Sequence, residues 1–334
     1  MNSSPSSLRV YRGAPPPPLR QPSALTIGNF DGVHLGHRAM LTRLVSAAEA
    51  RGLVPTVMTF EPHPREYFAR MRGEPQLAPP RISGLRDKLL DLAKIGVRQV
   101  IVERFDQRLA NMPATRFIDE LLLQGLDTRW LLVGDDFRFG ARRVGDVTLL
   151  RAHGGFEVES MDSITDRQGR RVSSTDVRAS LAAGDLARVE DLLGHRYHMS
   201  GHVVHGLKLG RSLGFRTINL RVPPRSTALK GIFVVQVHGL ADGPLDGVAS
   251  LGVRPTVTDA NRMLLEVHLL DYNQNAYGKL VRVEFLKKLR DEAKFVDLPT
   301  LIEAIATDVE HARAYFAAAA ATSAVAARSA TDRI

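Results

Sequence analysis

His34 and His37 stand three residues apart in the segment 27–37, IGNFDGVHLGH, which holds the densest set of chemically useful residues in the chain. Three glycines at a spacing of four let the backbone turn tightly after an apolar run, and a helix is predicted to begin at His37 or Arg38. Backbone N–H groups and the positive end of the helix dipole would face the carboxyl edge of a sheet, which suits a polyphosphate. Gly36 would let a phosphate approach both imidazoles, so we predict an anion site rather than a turn with two solvated histidines.

Two further segments carry groups that suit the same ligand. Residues 133–140, VGDDFRFG, end another apolar run with carboxylates, aromatic rings and a cation, and residues 172–178, VSSTDVR, are typical of a helix N-terminus. The hydroxyls of the second segment could serve only as helix caps. Because ligands of open α/β sheets bind beyond the carboxyl ends of the strands, we interpret both segments as further walls of the anion site.

Apolar runs and amphipathic stretches alternate from Ala24 to about Gly194, which predicts a parallel sheet with helices on both faces. After Tyr197 the runs are short and separated by turns, until one last amphipathic stretch from Leu298 to Phe316. This second rhythm predicts a small antiparallel six-stranded β-barrel with a C-terminal helix. The predicted strands are 24–30, 54–60, 99–105, 130–135 and 156–161 in the first part, and 197–205, 215–221, 231–239, 246–253, 263–271 and 279–286 in the second.

The composition is typical of a soluble globular protein, with 44% hydrophobic and 24% charged residues. The chain has no cysteine, which excludes disulfides, iron–sulfur clusters, thiolate zinc sites and a cysteine nucleophile, and which fits the cytoplasm. Its net charge of +9 suits an anionic small molecule, whereas 6% aromatic residues are few for a protein that stacks nucleic-acid bases. We expect no secretory signal, because the N-terminal residues contain no apolar run. We also expect no membrane span, since the longest apolar-looking segment, 316–327, is mostly alanine.

Two common nucleotide-binding motifs are absent from the sequence. No two of the 27 glycines are two residues apart, so G-x-G-x-x-G does not occur. The single Gly-Lys pair, Gly278-Lys279, is followed by leucine, so there is no Walker A loop. The predicted anion site is therefore neither a dinucleotide site of that type nor a P-loop.

Four motifs, in this order and spacing, resemble the adenylyltransferase module of the bacterial bifunctional riboflavin kinase/FMN adenylyltransferase (FAD synthetase) family. They are GNFDGVHLGH at 28–37, TFEPHP at 59–64, VGDDFRFG at 133–140 and SSTDVR at 173–178. The second half resembles that family's riboflavin kinase module at 201–220, 247–257, 265–272 and 277–295. The resemblance covers about residues 23–316 and implies an α/β fold, a Rossmann-like nucleotidyltransferase domain with a parallel sheet, followed by the barrel.

The resemblance implies that the chain phosphorylates riboflavin to FMN and adenylylates FMN to FAD, using ATP in both steps and releasing pyrophosphate in the second. Mg²⁺ would be the cofactor, and the partners would be the small molecules ATP, riboflavin and FMN. We expect neither a membrane nor nucleic acid as a partner. The oligomeric state is left open. The implied parts are a disordered Pro/Ser-rich tail (1–22), the FMN adenylyltransferase domain (23–186), the riboflavin kinase domain (187–316) and an Ala-rich flexible tail (317–334).

The resemblance also implies roles for single residues of the first module. Catalysis would involve His34, His37 and Arg178. The residues that would bind ATP are Gly28, Asn29, Asp31, Gly36, Ser174 and Thr175, and those that would bind the flavin are His63, Asp136, Phe137 and Phe139.

In the kinase module, the resemblance makes Glu266 catalytic, because a neutral ribityl hydroxyl needs a carboxylate to accept its proton. Arg290 would contact the flavin. Alternation along the predicted strand places Glu266 on one face with His268 and Leu270, which allows the barrel interior. The residues that would bind ATP are Gly206, Lys208, Thr217 and Asn219, of which Thr217 and Asn219 would also hold Mg²⁺.

The segment Arg216-Thr217-Ile218-Asn219 stands where these kinases usually have Pro-Thr-Ala-Asn. Both predicted ligands are retained, but the φ angle that proline would restrict is lost. An alternative hypothesis therefore keeps the adenylyltransferase and makes the barrel a flavin-binding module without turnover. A more remote alternative is a basic nucleic-acid-binding protein with an enzyme-like fold.

Overall fold

The computed structural model describes residues 7–166, 168–205, 215–223, 227–254 and 262–331. The chain divides into two compact units, Met1–Asp176 and Val177–Ile334. The first unit is built on an open sheet and the second on a closed barrel. The module boundary that the sequence places after residue 186 stays a prediction, because compactness alone does not assign function.

Six parallel strands form the sheet of the first unit. They are β1 (Arg9–Arg12), β2 (Ser23–Ile27), β3 (Val54–Glu61), β4 (Gln99–Arg104), β5 (Thr128–Gly134) and β6 (Glu157–Met161). Their order across the sheet is β1-β4-β3-β2-β5-β6, and every pairing is parallel. β2 is buried along its whole length, which is typical of a parallel strand with helices on both faces.

Helices cover both faces of this sheet. They are α1 (Leu35–Arg51), α2 (Pro64–Met71), α3 (Leu85–Ile95), α4 (Gln107–Ala110), α5 (Ala114–Arg116), which a π-helix continues over Phe117–Gly125, and α6 (Val147–His153). Successive residues of β2 point to opposite faces: Leu25 packs in a cluster with Ile118, and Ala24 packs in a cluster with Leu41. This arrangement confirms the predicted parallel α/β fold. Two further helices, α7 (Ser174–Ala183) and α8 (Leu186–Leu193), follow β6.

The N-terminal segment differs from the disordered tail predicted for residues 1–22. Arg9–Arg12 pairs in parallel with residues 99–102 of β4, and Pro17–Leu19 forms a 3-10 turn. Tyr11 packs against the hydrophobic cluster of the sheet. A sheet edge offers unpaired backbone groups to an extended segment, so a strand of four residues forms here without the longer apolar periodicity on which sequence analysis depends.

Six antiparallel strands close into the barrel of the second unit. They are β7 (His198–Val204), β8 (Thr217–Val222), β9 (Gly231–His238), β10 (Leu245–Arg254), β11 (Arg262–Leu269) and β12 (Leu280–Arg290). Their order is β10-β11-β8-β7-β12-β9, and β9 pairs with β10 to close the ring. Fully buried side chains such as Phe233, Leu265 and Phe285 fill the interior, and the predicted six-stranded barrel is confirmed.

A long helix, α9 (Leu298–Thr331), follows the barrel. Val309 and Ala312 on this helix pack against Ile232 and Val234 on the outer face of β9. The structure differs from the flexible tail predicted for residues 317–334, because the helix continues to Thr331; alanine, which dominates this stretch, has the highest helix propensity. None of the helices within the described residues combines the length and the apolar character that crossing a membrane requires.

Candidate active sites

The glycine-rich turn after β2 lies at the topological switch point of the sheet. The chain runs from β2 outward to β3 and β4, and then returns to the other side of β2 with β5. The loops that follow β2 and β5 therefore diverge and leave a crevice at the carboxyl edge, where ligands of such sheets bind. A cavity of about 300 Å³ occupies this crevice. The predicted residues that line it are Gly28, His34, Gly36, His37, Asp136, Phe137 and Ser174.

His34 is the N-cap of α1, and its buried imidazole Nδ1 accepts a hydrogen bond from the backbone N–H of His37 at 3.3 Å. A neutral His34 with this bond carries its proton on Nε2, where it can be donated to a ligand. The rings of His34 and His37 stack with 3.7 Å between their centroids. A Cβ at Gly36 would lie 3.3 Å from the His34 ring, so glycine keeps this contact relaxed. The helix begins at Leu35, earlier than predicted, because the histidine itself supplies the cap.

Asp31, which the resemblance assigns to ATP, directs its carboxylate into the protein. This carboxylate is 3% exposed and accepts hydrogen bonds from the backbone N–H groups of Ile82 at 3.0 Å and Ser83 at 3.2 Å. Neither Asp31 nor the predicted Asn29 and Thr175 are among the residues that line the cavity. The hydrogen bonds to Ile82 and Ser83 instead hold the glycine-rich turn in place without contact with the cavity.

A second support of the turn comes from a buried lysine. The Lys88 ammonium donates to the Thr59 hydroxyl at 3.4 Å, and that hydroxyl donates to the Asn29 carbonyl at 3.2 Å. Burial lowers the pKa of Lys88, although neighbouring carboxylates, Glu61 first among them, oppose this effect. Sequence analysis did not identify Lys88, because a lysine on an amphipathic helix normally points to solvent.

The loop after β5 supplies the opposite wall. Phe137 lines the cavity and stacks on Phe139 with 5.6 Å between ring centroids. Phe139 itself is buried, lies 5.4 Å from the Phe117 ring, and does not line the cavity. Asp136 forms an ion pair of 2.8 Å with Arg171, a lining residue that sequence analysis missed. Arg178 lies four residues after Ser174 on α7, and its predicted role stays a prediction.

An aromatic cluster at the carboxyl ends of β3 and β4 was not recognised from the sequence. The Phe105 ring makes edge contacts with Phe60, Tyr67 and Phe68, at centroid distances of 5.8, 5.4 and 5.6 Å. Phe68 remains 45% exposed. His63, the predicted flavin contact in this region, caps α2 by accepting a hydrogen bond from the Arg65 N–H at 3.1 Å. The signal in the sequence is the pair Tyr67-Phe68, which follows the TFEPHP motif after two intervening residues.

Arg81 joins α2 to the end of β3. Its guanidinium donates two hydrogen bonds to Glu61, at 2.7 and 2.8 Å, and two to Glu66, both at 2.6 Å. Burial disfavours the charged form of Glu66, but the hydrogen bonds and the charge of Arg81 outweigh burial, so the pKa of Glu66 is lowered. This double ion pair holds the aromatic cluster at the carboxyl edge of the sheet.

Arg81→Met is expected to lower the free energy of unfolding by about 2 kcal/mol at pH 7, because two partly buried carboxylates lose their cation. A lowered folded-state pKa stabilises the fold above the unfolded value of glutamate, about 4.3, and this stabilisation disappears as pH falls through the folded value. The difference in melting temperature, roughly 4–8 °C at pH 7, should therefore shrink between about pH 5 and pH 3. The exposed Arg70→Met is the matched control, and a loss that does not depend on pH would contradict the ion pair.

In the barrel, the predicted ligands lie on two neighbouring strands. Thr217 and Asn219 of β8 pair with His268 and Glu266 of β11, respectively. Directly opposed residues share a face of the sheet, so these four side chains lie on one face. Val267, which alternates with them, is fully buried in the barrel interior. Glu266 therefore lies on the outer face, and the interior position that alternation allowed is not adopted.

Thr217 lines two cavities. One, of about 300 Å³, is also lined by Arg216, Asn219 and residues 272–277. The other, of about 310 Å³, lies under α9 and is also lined by Glu266 and Arg290. Asn219 is 5% exposed, and its Oδ1 has no hydrogen-bond partner among the described residues. A buried oxygen of this kind is suited to a bound cation or donor.

Arg290 lines the second cavity and is held there by an ion pair. Its guanidinium donates to both carboxylate oxygens of Asp308 on α9, at 3.0 and 2.6 Å, and lies 5.7 Å from the Phe295 ring. Burial raises the pKa of Glu292, which lines the same cavity, and Lys230 opposes this shift. The predicted ATP contacts Gly206 and Lys208 lie outside the described residues.

A cavity at the switch point of a parallel sheet, followed by a closed barrel with hydroxyl, amide and carboxylate groups on one face, is typical of a transferase with two modules. Models of two protein families match the chain, FAD synthetase over residues 17–176 and riboflavin kinase over residues 193–316. The chain belongs to the family of bifunctional riboflavin kinase/FMN adenylyltransferases, and the predicted enzyme class and both activities are confirmed.

Relatives of this family match most of the chain. The bifunctional riboflavin kinase/FMN adenylyltransferase of Escherichia coli K12 is 47% identical over 295 residues, which cover 87% of this chain and 92% of that protein. The Haemophilus influenzae protein of the same name is 44% identical over 299 residues, which cover 89% and 95%. A crystal structure described as a macrolide-efflux protein from Streptococcus pneumoniae is similar with a TM-score of 0.74 and 26% identity, covering 91% of this chain and 98% of that one.

Proposed function

We propose that the cavity at the switch point of the sheet is the FMN adenylyltransferase site and that the outer face of β8 and β11 is the riboflavin kinase site. One observation carries both assignments: within each family match, residues that are distant in sequence line a common cavity. The first cavity joins the turn after β2 to the loop after β5. The second joins Glu266 to Thr217 and to Arg290.

In the first site, a phosphate oxygen of FMN attacks the α-phosphorus of ATP. A new P–O bond forms, the bond to the β-phosphate oxygen breaks, and pyrophosphate leaves. The nucleophile is already an anion, so the protein needs no covalent intermediate and no base, but it must align the reactants and stabilise the charge of the transition state. We assign this stabilisation to the imidazoles of His34 and His37 and to the N-terminus of α1.

In the second site, the nucleophile is the neutral terminal ribityl hydroxyl of riboflavin. Glu266 accepts its proton while the oxygen attacks the γ-phosphorus of ATP and ADP leaves. The location of Glu266 in a cavity with Arg290 and α9 suits the flavin. Thr217 lines this cavity and the neighbouring one, so we place the transferred phosphate beside Thr217 and the rest of the nucleotide toward Asn219.

Mg²⁺ fits the Thr217 and Asn219 pair. Both offer side-chain oxygens on one face, and the buried Asn219 Oδ1 has no hydrogen-bond partner among the described residues. Across the described residues, no group of three His, Cys, Asp or Glu side chains could hold a metal ion. Magnesium commonly takes one or two protein oxygens together with substrate phosphates, and when bound it neutralises phosphate charge.

Several assignments rest on the resemblance alone. Contacts of ATP with Asn29, Asp31, Thr175, Arg178, Gly206 and Lys208 stay predictions, as do contacts of the flavin with His63 and Phe139. For the flavin, the exposed edge of the aromatic cluster at Phe68 offers a stacking surface. The cytoplasmic location also stays a prediction.

Incubation of the protein with riboflavin, ATP and Mg²⁺ is expected to yield both FMN and FAD, which chromatography separates. Removal of Mg²⁺ with a chelator is expected to stop both steps. FAD formed only from supplied FMN would favour a barrel without turnover. Salt-sensitive nucleic-acid binding without any flavin product would contradict the proposal and favour a basic nucleic-acid-binding protein with an enzyme-like fold.

A further inference from the structure

Arg216 stands directly before β8, beside the predicted ligands Thr217 and Asn219. Its side chain is exposed, and Nη1 donates a hydrogen bond of 2.9 Å to the carbonyl of Asn273. Arg216 and Asn273 both line the cavity of about 300 Å³ that also contains Thr217. The arginine thus ties the start of β8 to the segment 272–277, which forms the opposite wall of that cavity.

The backbone of Arg216 is fixed as well. Its carbonyl accepts a hydrogen bond from Nδ1 of His268 on β11 at 2.9 Å. The His268 ring makes an edge contact with Phe215, with 5.4 Å between centroids. Because main chain and side chain are both held, the guanidinium is positioned at the cavity before any ligand binds, which reduces the entropy lost on binding.

The two cavities lined by Thr217 differ in the charge of their other lining residues. Arg216 is the one charged residue among the described residues that line the first cavity, and the others are neutral or apolar. The cavity under α9, in contrast, is lined by three carboxylates, Glu266, Glu292 and Asp308, and by one guanidinium, Arg290, which is already paired with Asp308. A triphosphate is therefore electrostatically suited to the first cavity and disfavoured in the second.

The guanidinium also retains donors for a ligand. Arginine has five N–H groups, and the described residues accept a hydrogen bond from Nη1 alone. No carboxylate of the described residues forms an ion pair with Arg216. Arginine N–H groups in this fork geometry match phosphate oxygens, which the proline common at this position in the family could not do.

We propose that Arg216 is a phosphate-binding residue of the kinase site, which holds the ATP phosphates and fixes the wall 272–277 around them. This inference rests on the proposed location of the kinase site. A residue that binds ATP equally in the ground and transition states changes KM for ATP rather than kcat. Its contribution should also weaken with salt, because the guanidinium is exposed.

The test is the rate of flavin phosphorylation, measured as the sum of FMN and FAD formed, as a function of ATP concentration at low and high salt. Arg216→Ala is expected to raise KM for ATP about tenfold and to change kcat by no more than about threefold. The KM of Arg216→Lys should lie between that of Arg216→Ala and that of the parent, because lysine keeps the charge but not the fork of donors. High salt should raise the parent's KM toward that of the alanine variant. Arg221→Ala, which removes an exposed cation from β8, the strand that Arg216 precedes, is the matched control and should leave KM unchanged.

Two results would overturn the inference: an unchanged KM for ATP in Arg216→Ala, or an equal rise in Arg221→Ala. A fall in kcat with KM for ATP and its salt dependence unchanged would show a structural role only and would also overturn it. Asn219→Ala separates this inference from the proposed site. If Asn219→Ala lowers phosphorylation about a hundredfold while Arg216→Ala has no effect, the proposed location of the site is retained and the role of Arg216 is rejected. If Asn219→Ala itself has no effect on phosphorylation, the proposed location of the site is wrong.

Discussion

His34→Asn is expected to lower FAD formation from FMN about a hundredfold, while FMN formation from riboflavin stays unchanged. Asparagine is a good N-cap, so the start of α1 should persist. The imidazole donor at the switch-point cavity is lost, and removing one such charge-stabilising donor typically costs two to three orders of magnitude in rate, about 3–4 kcal/mol. Separate assays with FMN and with riboflavin as the starting flavin measure the two steps.

Two comparisons sharpen this experiment. His34→Ala should lose the same activity and also about 1 kcal/mol of stability, because alanine cannot cap the helix. His311→Asn makes the same chemical change at an exposed position of α9 and should alter neither step. Equal loss of both activities in a folded His34→Asn protein would contradict the assignment of the two steps to separate sites.

Glu266→Gln is expected to lower FMN formation from riboflavin by at least a hundredfold and to leave FAD formation from supplied FMN unchanged. Glutamine keeps the size of the side chain but cannot accept the hydroxyl proton, and general base catalysis typically contributes 10²- to 10⁴-fold. Because Glu266 lies on the outer face of the barrel and not in its packed interior, the substitution should leave the melting temperature close to that of the parent. Glu310→Gln, at an exposed position of α9, is the control.

The outcome that contradicts this prediction is FMN formation at the parental rate in Glu266→Gln. Glu292 lines the same cavity, and burial raises its pKa, so it is the next candidate for the base. If Glu292→Gln loses phosphorylation while Glu266→Gln retains it, Glu292 is the general base, and the location of the site in this cavity is unchanged.

The parallel sheet and its site were largely predictable because their signals are local. Apolar runs such as 24–30 and 130–135 became β2 and β5, and each was followed in sequence by its functional motif. In a parallel sheet every strand ends at the same edge, so motifs that follow different strands must come close to one another whatever the exact register. His34 and Asp136 could therefore be assigned to one cavity from the sequence alone.

Register and partners across long separations could not be predicted. Alternation shows which residues of β11 share a face. Both faces of this strand are covered, one by the barrel core and the other by α9. The pattern therefore does not distinguish the inner face from the outer one. Asp31 was assigned to ATP by its motif, but its carboxylate binds the N–H groups of Ile82 and Ser83. Such a choice depends on which backbone the fold brings near.

Sequence analysis predicted the order of the strands from β2 to β12, the change from a parallel sheet to a barrel and the residue types of both sites, because these follow from periodicities of 2.0 and 3.6 and from motifs within single segments. What those side chains contact depends on the folded chain: His34 caps its own helix, Glu266 lies under α9, and Arg216 binds the carbonyl of Asn273. Contacts between residues 57 positions apart, as in the last pair, depend on the pairing of β8 with β11, and no local pattern in a single sequence specifies which strands pair.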